Sequence, residues 1–261
     1  MTTRVDDVLR LADDALVTAQ RLGSWYASSP EMEEDVALAN IGLDQLGAAR
    51  LLLTYAGTLE GTGRDEDALA YLRSASEFRN CRLVERPEPD FGHVIAKLLF
   101  LSAFQLPLYI ALRSGADEQL AAIGAKACKE SAYHLDHGSL WTVRLGDGTA
   151  LSHDRMQAAV DALWPYVDEL FIGGVAGLSF ESLRPAWEST VDGVLASATL
   201  RKPVAGVPAS AGVPAAPALP AAPALPAPPA LPALADDPRD ELVALLAEMQ
   251  ELHRAHPGAR W

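Results

Sequence analysis

Helical periodicity along nearly the whole sequence is the feature that most limits what this chain can fold into. In residues 4–22, for example, Val8, Leu11, Ala15 and Leu22 fall on one helical stripe. Strand-like runs joined by hairpin turns are missing from the pattern. Helices are predicted at 4–22, 31–60, 65–74, 91–114, 117–146, 152–170 and 181–200. Four of them are long, which predicts an all-α antiparallel four-helix bundle with extra helices.

The segment from Leu98 to Leu112 contains no charged residue and therefore has to be compared with a membrane span. It is shorter than the roughly 20 apolar residues that a span needs. Lys97 and Arg113 bound it, and Gln105 interrupts it. These features favour a central core helix. Pro107 lies within it and is expected to kink the helix or to break its hydrogen-bond ladder.

Charge and cysteine content exclude several classes of function. The net charge is −14, whereas nucleic acids and anionic membrane surfaces are bound by basic patches. The two cysteines, Cys81 and Cys128, are far apart and form no CxxC motif. A reducing compartment is therefore expected, and we predict a cytoplasmic protein that binds neither nucleic acid nor membrane.

The C-terminal part of the sequence differs in composition from the rest. Residues 203–235 are rich in proline and alanine and carry no charge, which is typical of an extended, polyproline-like linker. A helix is predicted at about 236–254, where Leu242, Leu245, Leu246 and Met249 form an apolar stripe. The predicted organisation is a bundle at 1–202, a linker at 203–235, and a C-terminal helix and tail at 236–261. The target of the last helix is this bundle or a neighbouring subunit.

Residues 130–134 come close to a metal-binding motif without matching it. Iron-binding four-helix bundles use Glu-x-x-His, which places a carboxylate and an imidazole on one face of a helix. Tyr133 stands three residues after Glu130, and the histidine is His134 instead. One residue corresponds to a rotation of about 100° around the helix. The motif therefore predicts either a di-iron enzyme or a bundle that has lost its metal.

The other helices also lack parts of a di-iron ligand set, which needs a Glu from two helices and Glu-x-x-His from the other two. The first helix offers Asp13 or Asp14. The second offers Asp44, but Gly47 stands where a histidine is needed. The helix at 91–114 contains no acidic residue. We therefore predict no catalytic, cofactor-binding or metal-binding residue in this chain. Six residues are interpreted as degenerate remnants of a di-iron site: Asp13, Asp44, Gly47, Glu130, Tyr133 and His134.

Two further interpretations of these polar residues remain open. Glu130, His134 and His137 share one helical face and would suit zinc or iron if another ligand completed the site. Alternatively, they form a buried hydrogen-bond network together with exposed histidines. A buried group of Asp13, Asp44 and Glu130 would also persist without metal if a lysine or arginine paired with it, and Lys97, Lys126 and Lys129 are near in the sequence.

Small residues form a stripe in the helix at 31–60. Glycine in a helix interior costs about 1 kcal/mol relative to alanine, so another backbone is expected to approach closely. The stripe predicts either tight packing inside the bundle or a docking face for a second subunit. Its members are Ala37, Ala39, Gly42, Gly47, Ala48 and Ala49.

Several ordered segments resemble the structural subunits of bacterial phenylacetyl-CoA oxygenases, the ring 1,2-epoxidases. The resemblance covers about residues 7–261 except the Pro/Ala-rich segment. It rests on residues 35–47, 129–135, 144–149, 184–188 and 246–250, and on Pro257, Gly258 and Trp261.

The resemblance implies a ferritin-like helical fold and a role as the non-catalytic partner of a homologous di-iron subunit. That partner would use electrons from NADPH and insert one atom of O₂ into the ring of phenylacetyl-CoA. This chain would hold no cofactor, would stabilise the catalytic subunit, and would join a hetero-oligomer with it and the other subunits. Two alternatives are an active di-iron oxygenase with atypical ligands and a stand-alone helical adaptor.

Overall fold

A computed structural model describes residues 4–203, 239–257 and 259 of the chain. Within these ranges the helices are α1 (Val5–Ser24), α2 (Met32–Glu60), α3 (Glu66–Tyr71), α4 (Arg82–Glu85), α5 (Phe91–Leu112), α6 (Glu118–Gly146), α7 (Ala150–Leu163), α8 (Arg184–Ser197) and α9 (Asp240–Ala255). Short 3-10 helices lie at Ala75–Glu77, Trp164–Phe171 and Phe180–Leu183, and two short strands are β1 (Gly174–Val175) and β2 (Leu178–Ser179). The all-α prediction is confirmed.

The long helices form two hairpins, α1 with α2 and α5 with α6, joined by one long connection. Phe91, at the start of α5, packs against Trp25 after α1 and against Trp141 near the end of α6, with ring centroids 6.5 and 5.1 Å apart. At the other end, the Tyr55 hydroxyl of α2 donates to Asp117 before α6 at 2.6 Å. The connection at 61–90 therefore returns along the bundle, as in ferritin-like folds with one crossover.

Helix α5 is the central helix of the core. By length and composition, α2 and α5 would both be long and apolar enough to cross a membrane, but 78% of the most apolar window of α5 is buried inside the protein. The prediction of a core helix is confirmed. Helix α5 continues as one helix through Pro107. Proline has no backbone N–H, so Pro107 donates no hydrogen bond to the preceding turn.

Residues 164–183 were predicted wrongly in part. The predicted helix at 152–170 ends at Leu163, and Pro165 lies in the 3-10 helix that follows. Strands β1 and β2 then form an antiparallel hairpin that the sequence pattern did not reveal. The turn holds Ala176 and Gly177 at positive φ, 51° and 87°. Strands of two residues are too short for an alternating pattern, which explains the miss.

The C-terminal helix α9 packs on the bundle of its own chain, against α3 and the 3-10 helix at Ala75–Glu77. Leu242, Leu245 and Leu246 are buried there, and the Gln250 amide donates to the carbonyl oxygens of Ala70 and Arg73 at 2.9 and 3.0 Å. The amide thus satisfies carbonyls left open where α3 ends. The predicted linker at 203–235 lies outside the described residues, except for Pro203.

Candidate functional site

A buried polar network links three of the long helices. The amides of Gln45 in α2 and Gln105 in α5 donate to each other's oxygen atoms at 2.9 and 3.1 Å. The Gln45 amide nitrogen also lies 3.5 Å from Nδ1 of His134 in α6, and Nε2 of His134 lies 3.1 Å from an Asp44 carboxylate oxygen. Gln45, Gln105 and His134 are almost wholly buried. The three helices are therefore joined by side-chain hydrogen bonds in the interior.

Donors and acceptors in this network match when His134 is neutral. The Gln45 amide donates one proton to Gln105 and the other to Nδ1 of His134, so Nε2 carries the imidazole proton and donates it to Asp44. Burial lowers the pKa of His134, although the Asp44 carboxylate opposes this shift. A neutral imidazole with both nitrogen atoms engaged needs no further partner.

The motif placed Asp44 of α2 and Tyr133 of α6 toward the interior. In the structure the next residue of each helix, Gln45 and His134, faces inward instead. His134 is 1% exposed, whereas Tyr133 is 56% exposed and points outward. Three residues before His134 stands Ser131, which is buried, and three after Gln45 stands Ala48, also buried. Interpreting Tyr133 as the inward-facing position was therefore wrong, because the spacing from Glu130 does not fix how the helix is rotated.

The predicted remnant residues are not brought together in one group. Asp13 is buried in an ion pair with Arg73, whose Nη1 lies 3.0 Å from the carboxylate, and it accepts the backbone N–H of Arg79 at 2.8 Å. Glu130 pairs instead with Lys126 at 2.7 Å. An added Cβ at Gly47 would lie 3.6 Å from the Lys126 ammonium. An arginine does neutralise Asp13, but it comes from the connection between the hairpins.

Of the predicted lysine partners, Lys126 pairs with one member of the acidic group, Glu130, whereas Lys97 binds outside it. Lys97 binds Glu88 and the carbonyl oxygen of Arg86. Burial lowers the pKa of Lys97 to about 8, although the Glu88 carboxylate opposes this shift. Neither lysine has an ion pair with Asp13 or Asp44 in the described part of the chain.

Glu130, His134 and His137 each contact a different partner rather than a common point. Lys126 binds Glu130, Asp44 binds His134, and the His137 Nε2 lies 3.1 Å from a Glu34 carboxylate oxygen without hydrogen-bond alignment. Among the described residues, no three His, Cys, Asp or Glu side chains gather closely enough to hold a metal ion. The alternative zinc or iron site on α6 is thus not assembled in this arrangement.

The interior network does not fit a di-iron centre. Two iron ions need several anionic oxygens, supplied in such bundles by Glu and Glu-x-x-His side chains. Facing inward here are the amides of Gln45 and Gln105, the hydroxyl of Ser131 and the imidazole of His134. The sequence analysis missed Gln45 and Ser131 as interior residues. Gln105 carried a usable signal, because it is an amide within an otherwise apolar core helix.

A second feature lies on the opposite side of α2, where apolar side chains face outward. Contacts of Asp44 with His134 and of Glu34 with His137 hold α2 and α6 side by side and antiparallel. Exposed side chains on both helices recur seven residues apart, which is two helical turns. We define the outward face by Met32, Val36, Leu43, Tyr133 and Leu140, which are 77, 56, 64, 56 and 63% exposed.

The small-residue stripe of α2 divides between these two sides. Ala48 and Ala49 are buried in the core. A Cβ added at Gly42 would lie 3.4 Å from the Cβ of Leu22 in α1, so this glycine serves packing within the bundle. Gly47 is half-buried beside Lys126 of α6. Tight packing therefore accounts for Gly42, Ala48 and Ala49, whereas the exposed surface of α2 is lined by larger apolar side chains.

Comparison with known proteins agrees with the resemblance seen in the sequence. Residues 1–261 match the family described as phenylacetic acid catabolic protein. The chain is also similar to a protein of Escherichia coli (strain K12) that is named as one of the subunits of 1,2-phenylacetyl-CoA epoxidase. The two are 39% identical over 262 residues, which covers 97% of each chain. A match over the whole length at this identity shows that the chain belongs to the phenylacetic acid catabolic protein family.

Proposed function

We propose that this chain is a non-catalytic structural subunit of a cytoplasmic 1,2-phenylacetyl-CoA epoxidase. It would stabilise a homologous di-iron catalytic subunit in aerobic phenylacetate degradation. The similar E. coli protein is named as a subunit of that enzyme, which supports the assignment of the reaction. The division of labour between subunits is argued from this chain's own interior and surface.

The observation that carries the non-catalytic role is the self-contained interior network. Gln45, Gln105 and His134 satisfy one another's hydrogen-bonding groups where a di-iron bundle would present carboxylates. Asp13 is already neutralised by Arg73. Gln45, Gln105, His134 and Asp13 therefore each have a structural partner within the chain. The first three supply no anionic oxygen for iron, and the Asp13 carboxylate is held by Arg73.

The observation that supports a partner subunit is the outward face. A helix with apolar residues on all sides is normally buried on all sides. Helix α2 buries Leu38, Ile41 and Leu52 toward the core while Val36 and Leu43 remain exposed. Large exposed apolar patches on soluble proteins mark interaction sites. A second helical subunit placed over α2 and α6 would bury this face.

Co-purification tests the proposal. We would co-express the chain with the homologous di-iron subunit from the same source and compare the wild type with the Val36→Glu/Leu43→Glu double variant. Placing two carboxylates in an apolar interface should abolish the complex while the free chain keeps its helical circular dichroism. Ile172→Glu, at a residue 64% exposed on another part of the chain, is the matched control and should retain the complex.

The alternatives predict different results in the same experiment. A stand-alone helical adaptor would form no complex with the di-iron subunit even as the wild type. If the double variant bound as tightly as the wild type, the outward face would be excluded as the contact. Phenylacetyl-CoA epoxidation by this chain without the di-iron subunit would contradict the non-catalytic role.

A further inference from the structure

A cleft of about 340 Å³ lies at the end of the bundle where α2, α5 and α7 begin and α6 ends. It is separate from the interior network and from the outward face. Its residues include Phe91, Trp141, Arg144, Leu151 and Arg155. The volume is near the lower limit of ligand pockets, which are about 300–1,000 Å³. A ligand of one ring with a short substituent matches this size, whereas a nucleotide-sized ligand would exceed it.

One wall of the cleft is aromatic and apolar. Phe91 and Trp141 meet edge to face, with their ring centroids 5.1 Å apart and their planes at 88°. Both rings are half-buried, and Leu145 and the exposed Leu151 extend the apolar surface. Edge-to-face and stacked contacts of this kind favour a flat aromatic guest.

Two arginines on the rim of the cleft are not committed to ion pairs. The Arg144 guanidinium lies 4.6 Å from the Trp141 ring centroid, and neither Arg144 nor Arg155 has a carboxylate within ion-pair distance among the described residues. A second cleft, of about 400 Å³, differs in this respect. Its arginines Arg4, Arg64 and Arg79 pair with Asp7, Glu60 and Asp6.

Two acidic residues that line the cleft, Asp90 and Glu31, disfavour a ligand with several negative charges. Asp90 caps α5 and accepts from the backbone and the ring of His93 at 3.0 and 2.7 Å. Although burial opposes the shift, these bonds lower the pKa of Asp90, and the charge of Arg155 contributes less. Two carboxylates beside two guanidinium groups suit a ligand with one negative charge better than a polyphosphate.

We propose that this cleft binds an aromatic monocarboxylate, with the ring against Phe91 and Trp141 and the carboxylate on Arg144 and Arg155. Arginine is well suited to this role, because its planar fork binds a carboxylate through two hydrogen bonds while its face stacks on an aromatic ring. The inference rests on the cleft alone and does not require the partner subunit.

Isothermal titration calorimetry of the full chain with sodium phenylacetate tests the proposal. We expect saturable binding at one site in the millimolar range or below. Acetate, which lacks the ring, and 2-phenylethanol, which lacks the charge, should each bind at least about tenfold more weakly. Arg144→Ala and Arg155→Ala should weaken phenylacetate binding by at least about tenfold, and Arg50→Ala, at an exposed arginine of α2, should leave it unchanged.

Both arginines in the cleft are exposed, so the variants should keep the circular dichroism spectrum and melting temperature of the wild type. Three results would overturn the proposal. They are the absence of saturable phenylacetate binding by the wild type, equal binding by the Arg144→Ala/Arg155→Ala double variant, and equal binding of acetate and phenylacetate.

Discussion

The two sides of helix α2 differ in how completely this chain satisfies them. On the inward side, Gln45 finds hydrogen-bond partners in α5 and α6, and Ile41 and Leu52 are fully buried. On the outward side, Val36 and Leu43 are more than half exposed and contact solvent. Substitutions on the inward side should therefore change the stability of the isolated chain, whereas substitutions on the outward side should change its association with a partner subunit.

This difference separates two properties that a metal-binding bundle would combine. In a di-iron bundle the interior carries the chemistry, and its carboxylates oppose folding until metal binds. In this chain the interior amides and the His134 imidazole are uncharged, and the Asp13 carboxylate is paired with Arg73. The polar residues of the interior thus take part in the packing, and the proposed structural role depends on the outward face.

The largest effect on stability is expected at Arg73. Arg73→Met would leave the Asp13 carboxylate buried without its ion-pair partner, and breaking a buried pair costs about 3–5 kcal/mol. Urea unfolding followed by circular dichroism measures this loss. Arg50→Met is the matched control, because Arg50 forms an exposed ion pair with Glu66. It should change the free energy of unfolding little. If both substitutions lowered the free energy of unfolding equally, the claim that the buried pair stabilises the chain would be wrong.

A smaller effect is expected within the interior network. Gln45→Leu would leave polar groups of Gln105 and His134 without partners, which costs about 1–3 kcal/mol. Gln45→Leu/Gln105→Leu removes both amides, and it should recover part of that loss because fewer buried groups are left unpaired. If the double variant were less stable than Gln45→Leu alone, the network would not work as described.

The change in stability with pH that His134 causes should be smaller than the effect of Gln45→Leu. Burial lowers the pKa of His134, so below the ordinary value of 6.5 the unfolded chain binds a proton that the folded chain does not. The free energy of unfolding should therefore fall as the pH drops below about 6.5. His134→Gln should make this fall shallower in denaturant titrations at several pH values. An unchanged slope would show that His134 is not a neutral buried histidine.

The smallest effect on stability is expected on the outward face. Leu43→Gln should change the free energy of unfolding of the isolated chain by no more than about 0.5 kcal/mol, because the side chain is already in water. The same change should weaken the complex with the di-iron subunit. Urea unfolding and co-purification of one variant measure both properties. A large loss of stability in the isolated chain would mean that Leu43 packs within the bundle.

Much of the fold could be predicted from the sequence because helix boundaries carry local signals. Asp117 was predicted to open α6, and its carboxylate does accept the backbone N–H of Leu120. The connection at 61–90 and the hairpin at β1 and β2 carry weaker signals. In these regions structure depends on contacts with distant elements rather than on periodicity.

The candidate site could be predicted only in part, because its register and partners are long-range properties. The motif at Glu130 identified the correct helix, but only the rotation of α6 shows that His134 rather than Tyr133 faces inward. Asp13 was recognised as an acid that needs a positive partner. That partner, Arg73, lies 60 residues away along the chain. Residue spacing within one helix contains no information about either fact.

Metal content of the purified chain tests the central claim most directly. We would express it alone in iron-supplemented cells and measure iron and zinc per chain. The interior network predicts less than about a tenth of a metal atom per chain, because Gln45, Gln105 and Ser131 stand where a di-iron bundle has carboxylates. One or two iron atoms per chain would contradict this account, and the chain should then be assayed as an oxygenase itself.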